Sequence, residues 1–119
     1  MTAPPAIADR MQRMQDNLLR MMERGVPVVC ATDGGVGPPK PHDVLPYALL
    51  SLVEAGLPVT EVLATATSRA AELCGLGHRK GRVAAGYDAD LLVVRGNPWG
   101  DPQALLEVHS VYRAGIQVR

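Results

Sequence analysis

The sequence predicts an α/β fold, and three observations along its 119 residues indicate this class. Residues 6–24 carry apolar side chains at helical spacing, and residues 26–31 form a short apolar run typical of a buried strand. After Gly77 the pattern changes to short strand-like runs. A soft boundary at this glycine divides an α/β segment, 1–77, from a β-rich segment, 78–119.

The first predicted helix covers about Ala6 to Arg24. Its apolar side chains recur at steps of three and four, so they share one face. Asp9 and Arg13, spaced i and i+4, can pair on another face, and Gly25 supplies the stop. The apolar stripe consists of Ile7, Met11, Met14, Leu18 and Met21.

A predicted strand, Val26 to Ala31, follows this helix and is apolar on both faces, which suits a buried parallel strand. It ends at Thr32, Asp33 and two glycines, and the Gly- and Pro-rich stretch from Gly34 to Pro41 reads as a loop.

Two more helices are predicted before Gly77. Asp43 can cap the first, which runs to about Ala55, and Thr60 can cap the second, Glu61 to Cys74. We expect their buried stripes to contain Leu45, Leu49, Leu52 and Val53 in the first, and Val62, Leu63, Ala66, Ala70 and Leu73 in the second.

The β-rich segment has four predicted strands, with one helical turn in the loop from Pro98 to Leu106. The last two strands form a hairpin around Ala114-Gly115. The strands are Arg82 to Ala85, Leu91 to Val94, Val108 to Arg113 and Ile116 to Arg119.

Composition excludes several classes of function. Twelve acidic residues balance twelve basic ones and the chain has few aromatic side chains, so nothing favours nucleic-acid binding. No apolar run approaches the roughly 18 residues of a membrane span, and no signal peptide is recognisable. Cys30 and Cys74 have apolar flanks, which predicts buried free thiols and a reducing cytoplasm.

Three stretches are distinctive: GVPVVCATDGG (25–35), EAGLPVTEVLATATSRAAELCGLG (54–77) and GRVAAGYDADLLVVRGNPWGD (81–101), closed by VYRAGIQV. In this order and spacing they resemble the C-terminal end of the metal-dependent amidohydrolase superfamily, in its imidazolonepropionase and Xaa-Pro dipeptidase-like branch. The resemblance covers nearly the whole chain. It implies hydrolysis of amide or cyclic-amide C–N bonds with a divalent metal, zinc.

The resemblance also implies a fold, a (β/α)8 barrel with a small β-sandwich beside it. Val26 to Thr32 would be the last barrel strand, and Gly81 to Arg119 would supply the C-terminal strands of the sandwich. Because a lone barrel strand and half a sandwich leave edges and apolar faces open, we expect a homo-oligomer, a second chain that supplies the missing barrel, or a rearranged fold. In the rearranged fold, Val26 to Ala31 would join a sheet with Leu91 to Val94.

Asp33 is the candidate catalytic and metal-binding residue. Catalytic residues of such barrels lie at the C-terminal ends of strands. A carboxylate there can bind a divalent cation, and it can also carry a proton from water to a leaving amine. On the local pattern alone, Asp33 can equally be a turn residue, because Asp-Gly is a common turn pair.

His42 is a weaker candidate, for substrate binding, since relatives often carry a histidine in this loop; the alternative is a solvated loop histidine. The sequence has no HxH pair, and its other histidines are His78 and His109. A catalytic zinc generally takes three protein ligands, so the isolated chain is expected to be inactive and to bind no metal by itself. An oligomeric, non-catalytic assembly or binding protein is the alternative function, and a shortened chain is a third possibility.

Overall fold

The computed structural model describes residues 4–35, 37 and 42–119. Helices come first in the chain and a small antiparallel sheet follows, so the mixed α/β class is confirmed in this coarse form. No helix in these residues is long and apolar enough to cross a membrane. The elements are α1 (Pro5–Glu23), α2 (Leu45–Glu54), α3 (Val59–Ala66), α4 (Ser68–Leu73), β1 (Leu91–Val94), a 3₁₀ helix (Pro102–Leu106), β2 (Val108–Arg113) and β3 (Ile116–Gln117).

Helix α1 forms where the apolar period predicts it. Pro5 occupies its first turn, where the missing N–H has no helical partner to lose. The Asp9–Arg13 ion pair forms, and the chain leaves the helix through Gly25 at a φ of +75°. No residue of α1 is buried, although its stripe is apolar.

The core lies between α2, α3 and the 3₁₀ helix, where Leu49, Val62 and Leu105 form a buried cluster. Most of the predicted stripe residues of both helices either belong to this cluster or pack against it. Leu73 does not, since it is 73% exposed at the end of α4. The packed residues are Cys30, Leu45, Leu52, Val53, Leu57, Leu63 and Ala66.

The predicted helix from Glu61 to Cys74 is two helices, broken at Thr67. Its φ of −125° and ψ of −94° are not helical, and its hydroxyl donates to the Leu63 carbonyl at 2.7 Å. Hydroxyl side chains can bond to the preceding turn and so compete with regular helix. Both predicted caps are wrong: Asp43 and Thr60 are not N-cap residues, because α2 and α3 start after Val44 and Pro58 without side-chain caps.

The sheet has the order β1-β2-β3, with both neighbouring pairs antiparallel. Its hairpin turns at Ala114 and Gly115, which both have positive φ, as predicted. The strand predicted at Arg82 to Ala85 is wrong, since these residues form bends and a turn.

Val26 to Ala31 also lies outside the sheet, so neither a barrel strand nor the rearranged sheet is present in the part of the chain that is described. A buried parallel strand exists only between neighbours whose N–H and C=O groups it can pair with, and these residues have no such neighbours here.

Candidate active-site loop

The segment before Asp33 is held against α3 rather than within a sheet. The backbone N–H of Cys30 donates to the Thr65 carbonyl at 3.1 Å, and the half-buried Cys30 side chain packs on the core. This burial raises the pKa of its thiol. Thr65 is fully buried, and its hydroxyl donates to the Val62 carbonyl at 2.6 Å. The buried face of α3 therefore fixes the approach to Asp33.

Asp33 lies where this anchored segment turns. Its φ of +48° is in the left-handed region, which aspartate enters more readily than most residues. The Gly34 N–H donates to the Thr32 hydroxyl at 3.0 Å across the aspartate, and Gly34 and Gly35 form a turn. Asp33 is exposed, so solvent reaches it.

His42 folds back onto the start of the same loop. A Cβ atom built on Gly35 would lie 2.6 Å from the His42 Cε1 atom and 3.2 Å from each ring nitrogen. The ring therefore lies against Gly35, two residues beyond Asp33 in the sequence. Residues 36 and 38–41 of the predicted loop lie outside the described residues.

The other two histidines lie elsewhere. His78 is exposed in the segment between α4 and β1. His109 faces outward on β2, with its Nδ1 atom 3.3 Å from the Ser110 hydroxyl. Within residues 4–35, 37 and 42–119, no group of three or more His, Cys, Asp and Glu side chains could hold a metal ion. The side chains in this loop could supply one ligand of a zinc site but not the three protein ligands that a catalytic zinc generally takes.

The most distinctive sequence stretch, GYDADLLVV, supplies structure rather than a second site. Asp88 pairs with Arg79 at 2.8 Å and with Lys80 at 2.9 Å, and these cations hold the pKa of its carboxyl below the ordinary value. Asp90 pairs with Lys80 and accepts the Ala114 N–H at 2.8 Å. We name these four side chains, Arg79, Lys80, Asp88 and Asp90, the ionic clamp, because they tie the segment after α4 to the hairpin turn.

Sequence reasoning missed Thr65 and the contact between Gly35 and His42, and it wrongly predicted that Cys74 is buried. Thr65 carries a signal in hindsight: it is a hydroxyl residue inside the apolar face of an Ala-rich helix. The contact of Gly35 with His42 has no local signal, because it depends on how the loop folds back. Cys74 is exposed rather than buried, since α4 ends just before it at the surface.

Comparison with known families places these features in context. The model of the amidohydrolase family matches residues 4–119, nearly the whole chain. The chain belongs to the amidohydrolase family. Members of this family are typically metal-dependent, which fits a carboxylate in the loop and leaves the other ligands to be found.

Curated amidohydrolase relatives include two imidazolonepropionases. The one from Kosmotoga olearia is 32% identical over 101 residues, which cover 81% of this chain and 24% of the relative. The one from Thermoplasma acidophilum is 34% identical over 83 residues, which cover 69% of this chain and 20% of the relative. The chain thus spans about a quarter or less of the length of these relatives.

Solved amidohydrolase structures share the fold. A crystal structure of a Xaa-Pro dipeptidase with methionine bound in its active site superimposes with a TM-score of 0.79 at 30% identity. It covers 88% of this chain, which in turn matches 25% of that protein. An amidohydrolase from Thermotoga maritima MSB8 gives a TM-score of 0.73 at 26% identity over 88% of the chain.

Proposed function

We propose that this amidohydrolase chain contributes Asp33 to a metal-dependent site that hydrolyses amide or cyclic-amide C–N bonds. The observation that carries the proposal is the position of Asp33, at the turn that directly follows a segment anchored on α3. The related imidazolonepropionases and Xaa-Pro dipeptidase supply the reaction class. The remaining metal ligands would come from residues outside this chain.

The chemistry assigned to Asp33 is proton transfer at its carboxylate. In a C–N hydrolysis, a water oxygen adds to the carbonyl carbon and loses a proton, while the departing nitrogen must gain one. A carboxylate beside both atoms can take the first proton and return it to the nitrogen. The same carboxylate is a suitable oxygen ligand for a divalent cation, which is its second proposed role.

His42 is the proposed substrate-binding residue of the loop. Its imidazole can donate or accept one hydrogen bond, and the ring contacts Gly35, two residues beyond Asp33 in the sequence. His42 is exposed, so a substrate could reach the ring that contacts Gly35 at the start of the loop. The contact therefore supports the binding role for His42.

We expect the isolated chain to show no hydrolysis and no stoichiometric zinc, because one carboxylate and one histidine do not complete a zinc site. The decisive experiment places the chain in a relative. In the Kosmotoga olearia imidazolonepropionase, the matched segment, 24% of that enzyme, is replaced by the corresponding residues of this chain. Zinc content and hydrolysis of that enzyme's own substrate are then measured.

The chimera is expected to bind zinc and to hydrolyse, and Asp33→Asn is expected to lower kcat by about 10²–10⁴-fold. Asp43→Asn is the matched control, since it removes an exposed carboxylate from the same loop region and should leave kcat unchanged. A folded chimera whose kcat is unaffected by Asp33→Asn, or that neither binds zinc nor hydrolyses, would contradict the proposal.

A second candidate, a non-catalytic assembly protein, is favoured by helix α1. None of its residues is buried, yet Ile7, Met11, Met14 and Met21 are exposed along one stripe. Together with the half-buried Leu18, they alternate at spacings of four and three, as do the a and d positions of a coiled coil. Asp9, Asp16 and Glu23, seven residues apart, lie on the opposite face. These features favour α1 of a second copy as the partner.

Self-association is tested by light scattering during size-exclusion chromatography over a range of protein concentrations. We expect a dimer that dissociates on dilution, and a monomer for Met14→Glu. Ala6→Glu adds the same charge to an exposed position of α1 off the stripe, so it should leave the dimer intact. A wild-type chain that stays monomeric throughout would rule out this role for α1.

A further inference from the structure

We propose that Gly35 is a positioning residue: it is the seat of the His42 imidazole and sets where the two ring nitrogens lie. The use of that ring in substrate binding rests on the proposed function. The contact itself is a property of the fold and is tested separately.

The geometry identifies which part of the ring depends on Gly35. The position of a Cβ on Gly35 is 2.6 Å from Cε1 and 3.2 Å from both Nδ1 and Nε2. The edge that carries both nitrogens therefore faces this glycine. Since real Cβ atoms do not approach a ring carbon to 2.6 Å, any side chain here must displace that edge. The displaced atoms are the only hydrogen-bonding atoms of the ring.

Gly35 combines positive φ with the contact to His42, and Gly25, which has only the positive φ, provides the comparison. Both glycines have positive φ, +91° at Gly35 and +75° at Gly25, so alanine is strained at either. A Cβ on Gly25 would meet nothing within 4 Å, whereas a Cβ on Gly35 would meet the ring. The two Gly→Ala variants therefore share the backbone strain and differ in the displacement of His42.

The test is histidine NMR on the full chain, which has only three histidines. We expect a nuclear Overhauser effect between the His42 Hε1 proton and the Gly35 α-protons. Gly35→Ala should shift the His42 Hε1 resonance by more than its line width and leave His78 and His109 in place. Gly25→Ala should leave His42 unchanged. Absence of the effect in the wild type, or an equal His42 shift in Gly25→Ala, would overturn the proposal.

A double variant keeps the test decisive if Gly35→Ala unfolds the chain. In a His42→Ala background the ring is gone, so Gly35→Ala should lower the unfolding midpoint no more than Gly25→Ala does. If Gly35→Ala lowers the unfolding midpoint equally with and without the His42 ring, the proposal that Gly35 positions this ring is contradicted.

The chimera separates this inference from the proposed function. There, Gly35→Ala should raise KM more than it lowers kcat, as expected for a displaced binding residue. If the NMR contact is present but the chimera with glycine is inactive, the proposed function fails and the seat stands. If the chimera hydrolyses but the contact is absent, the seat fails and the proposed function stands.

Discussion

Helices α1 and α2 both carry an apolar stripe, and the chain covers only one of the two. Leu49 of α2 is 6% exposed and lies against Val62 and Leu105, whereas Met14 of α1 is 63% exposed. Both stripes follow the helical period. The period decides which side chains share a face, and tertiary contacts decide whether that face is buried.

The difference separates a region whose apolar side chains pack on one another from one whose apolar stripe is exposed. We name α2, α3 and the 3₁₀ helix the packed region, since their apolar side chains meet one another. Contiguous exposed apolar surface, as on α1, is unusual in a monomer and marks an interaction site. The same helix can thus serve an assembly or dock on the rest of an amidohydrolase.

The largest expected effect is the loss of stability when a buried side chain of the packed region is truncated. Leu49→Ala should lower the free energy of unfolding by about 2–5 kcal/mol, because it removes a buried side chain and leaves a cavity. Urea unfolding followed by circular dichroism measures this loss.

Met14→Ala is the control for this comparison, because it removes a similar volume from the exposed stripe. In the monomer it should change the free energy of unfolding by no more than about 0.5 kcal/mol. A loss from Met14→Ala as large as that from Leu49→Ala, and growing with protein concentration, would mean that the α1 stripe is buried between copies.

Local patterns were sufficient for elements with a strong apolar period or clear turn residues. Helix α1, strand β1 and the hairpin at Ala114-Gly115 lie where the apolar period and the turn residues predict them. Asp33 stands at a turn after an anchored segment, as expected from the glycines that follow it. Its assignment as a catalytic and metal-binding residue stays a prediction.

Features that depend on distant contacts were not predictable. Val26 to Ala31 has the composition of a buried strand, but pairing needs neighbours that this part of the chain does not provide. At the helix break, Gly81 lies so close to Thr67 that a Cβ on it would be 2.6 Å from the Thr67 carbonyl oxygen. His42 likewise lies against Gly35, seven residues earlier in the chain. In each case the deciding partner is not visible in the local pattern.

Gly81 and Gly86 sharpen the contrast between packed and exposed surface. Both have a φ of +85°, but a Cβ on Gly81 would lie 2.6 Å from the Thr67 carbonyl oxygen, and one on Gly86 would meet nothing. Both alanine variants should lose about 1–2 kcal/mol from the left-handed backbone. Gly81→Ala should lose about 1–3 kcal/mol more from overpacking, measured by urea unfolding. Equal losses of unfolding free energy in the two variants would show that the chain around Thr67 accommodates the added Cβ without cost.

The smallest expected effect concerns the ionic clamp, where exposed residues are held by charge rather than by apolar burial. The hydrogen bonds that Asp90 accepts from Lys80 and from the Ala114 N–H lower the pKa of its carboxyl below the ordinary 3.8. Because the pKa is lower in the folded state than in the unfolded state, the ionised carboxyl stabilises the fold, fully so above the unfolded-state pKa. This contribution is lost as the pH falls through the folded-state pKa. Asp90→Asn retains an oxygen for the Ala114 N–H and removes only the charge.

The stability difference between wild type and Asp90→Asn should therefore be present at neutral pH and vanish in acid well below pH 3.8. Urea unfolding at both pH values, with and without added salt, measures it, and salt should reduce the neutral-pH difference because the clamp is exposed. Asp9→Asn on α1 breaks an exposed i,i+4 pair and should have the weaker effect. If both variants behave alike, the clamp is no more than a set of surface ion pairs, and the hairpin is held by its backbone hydrogen bonds alone.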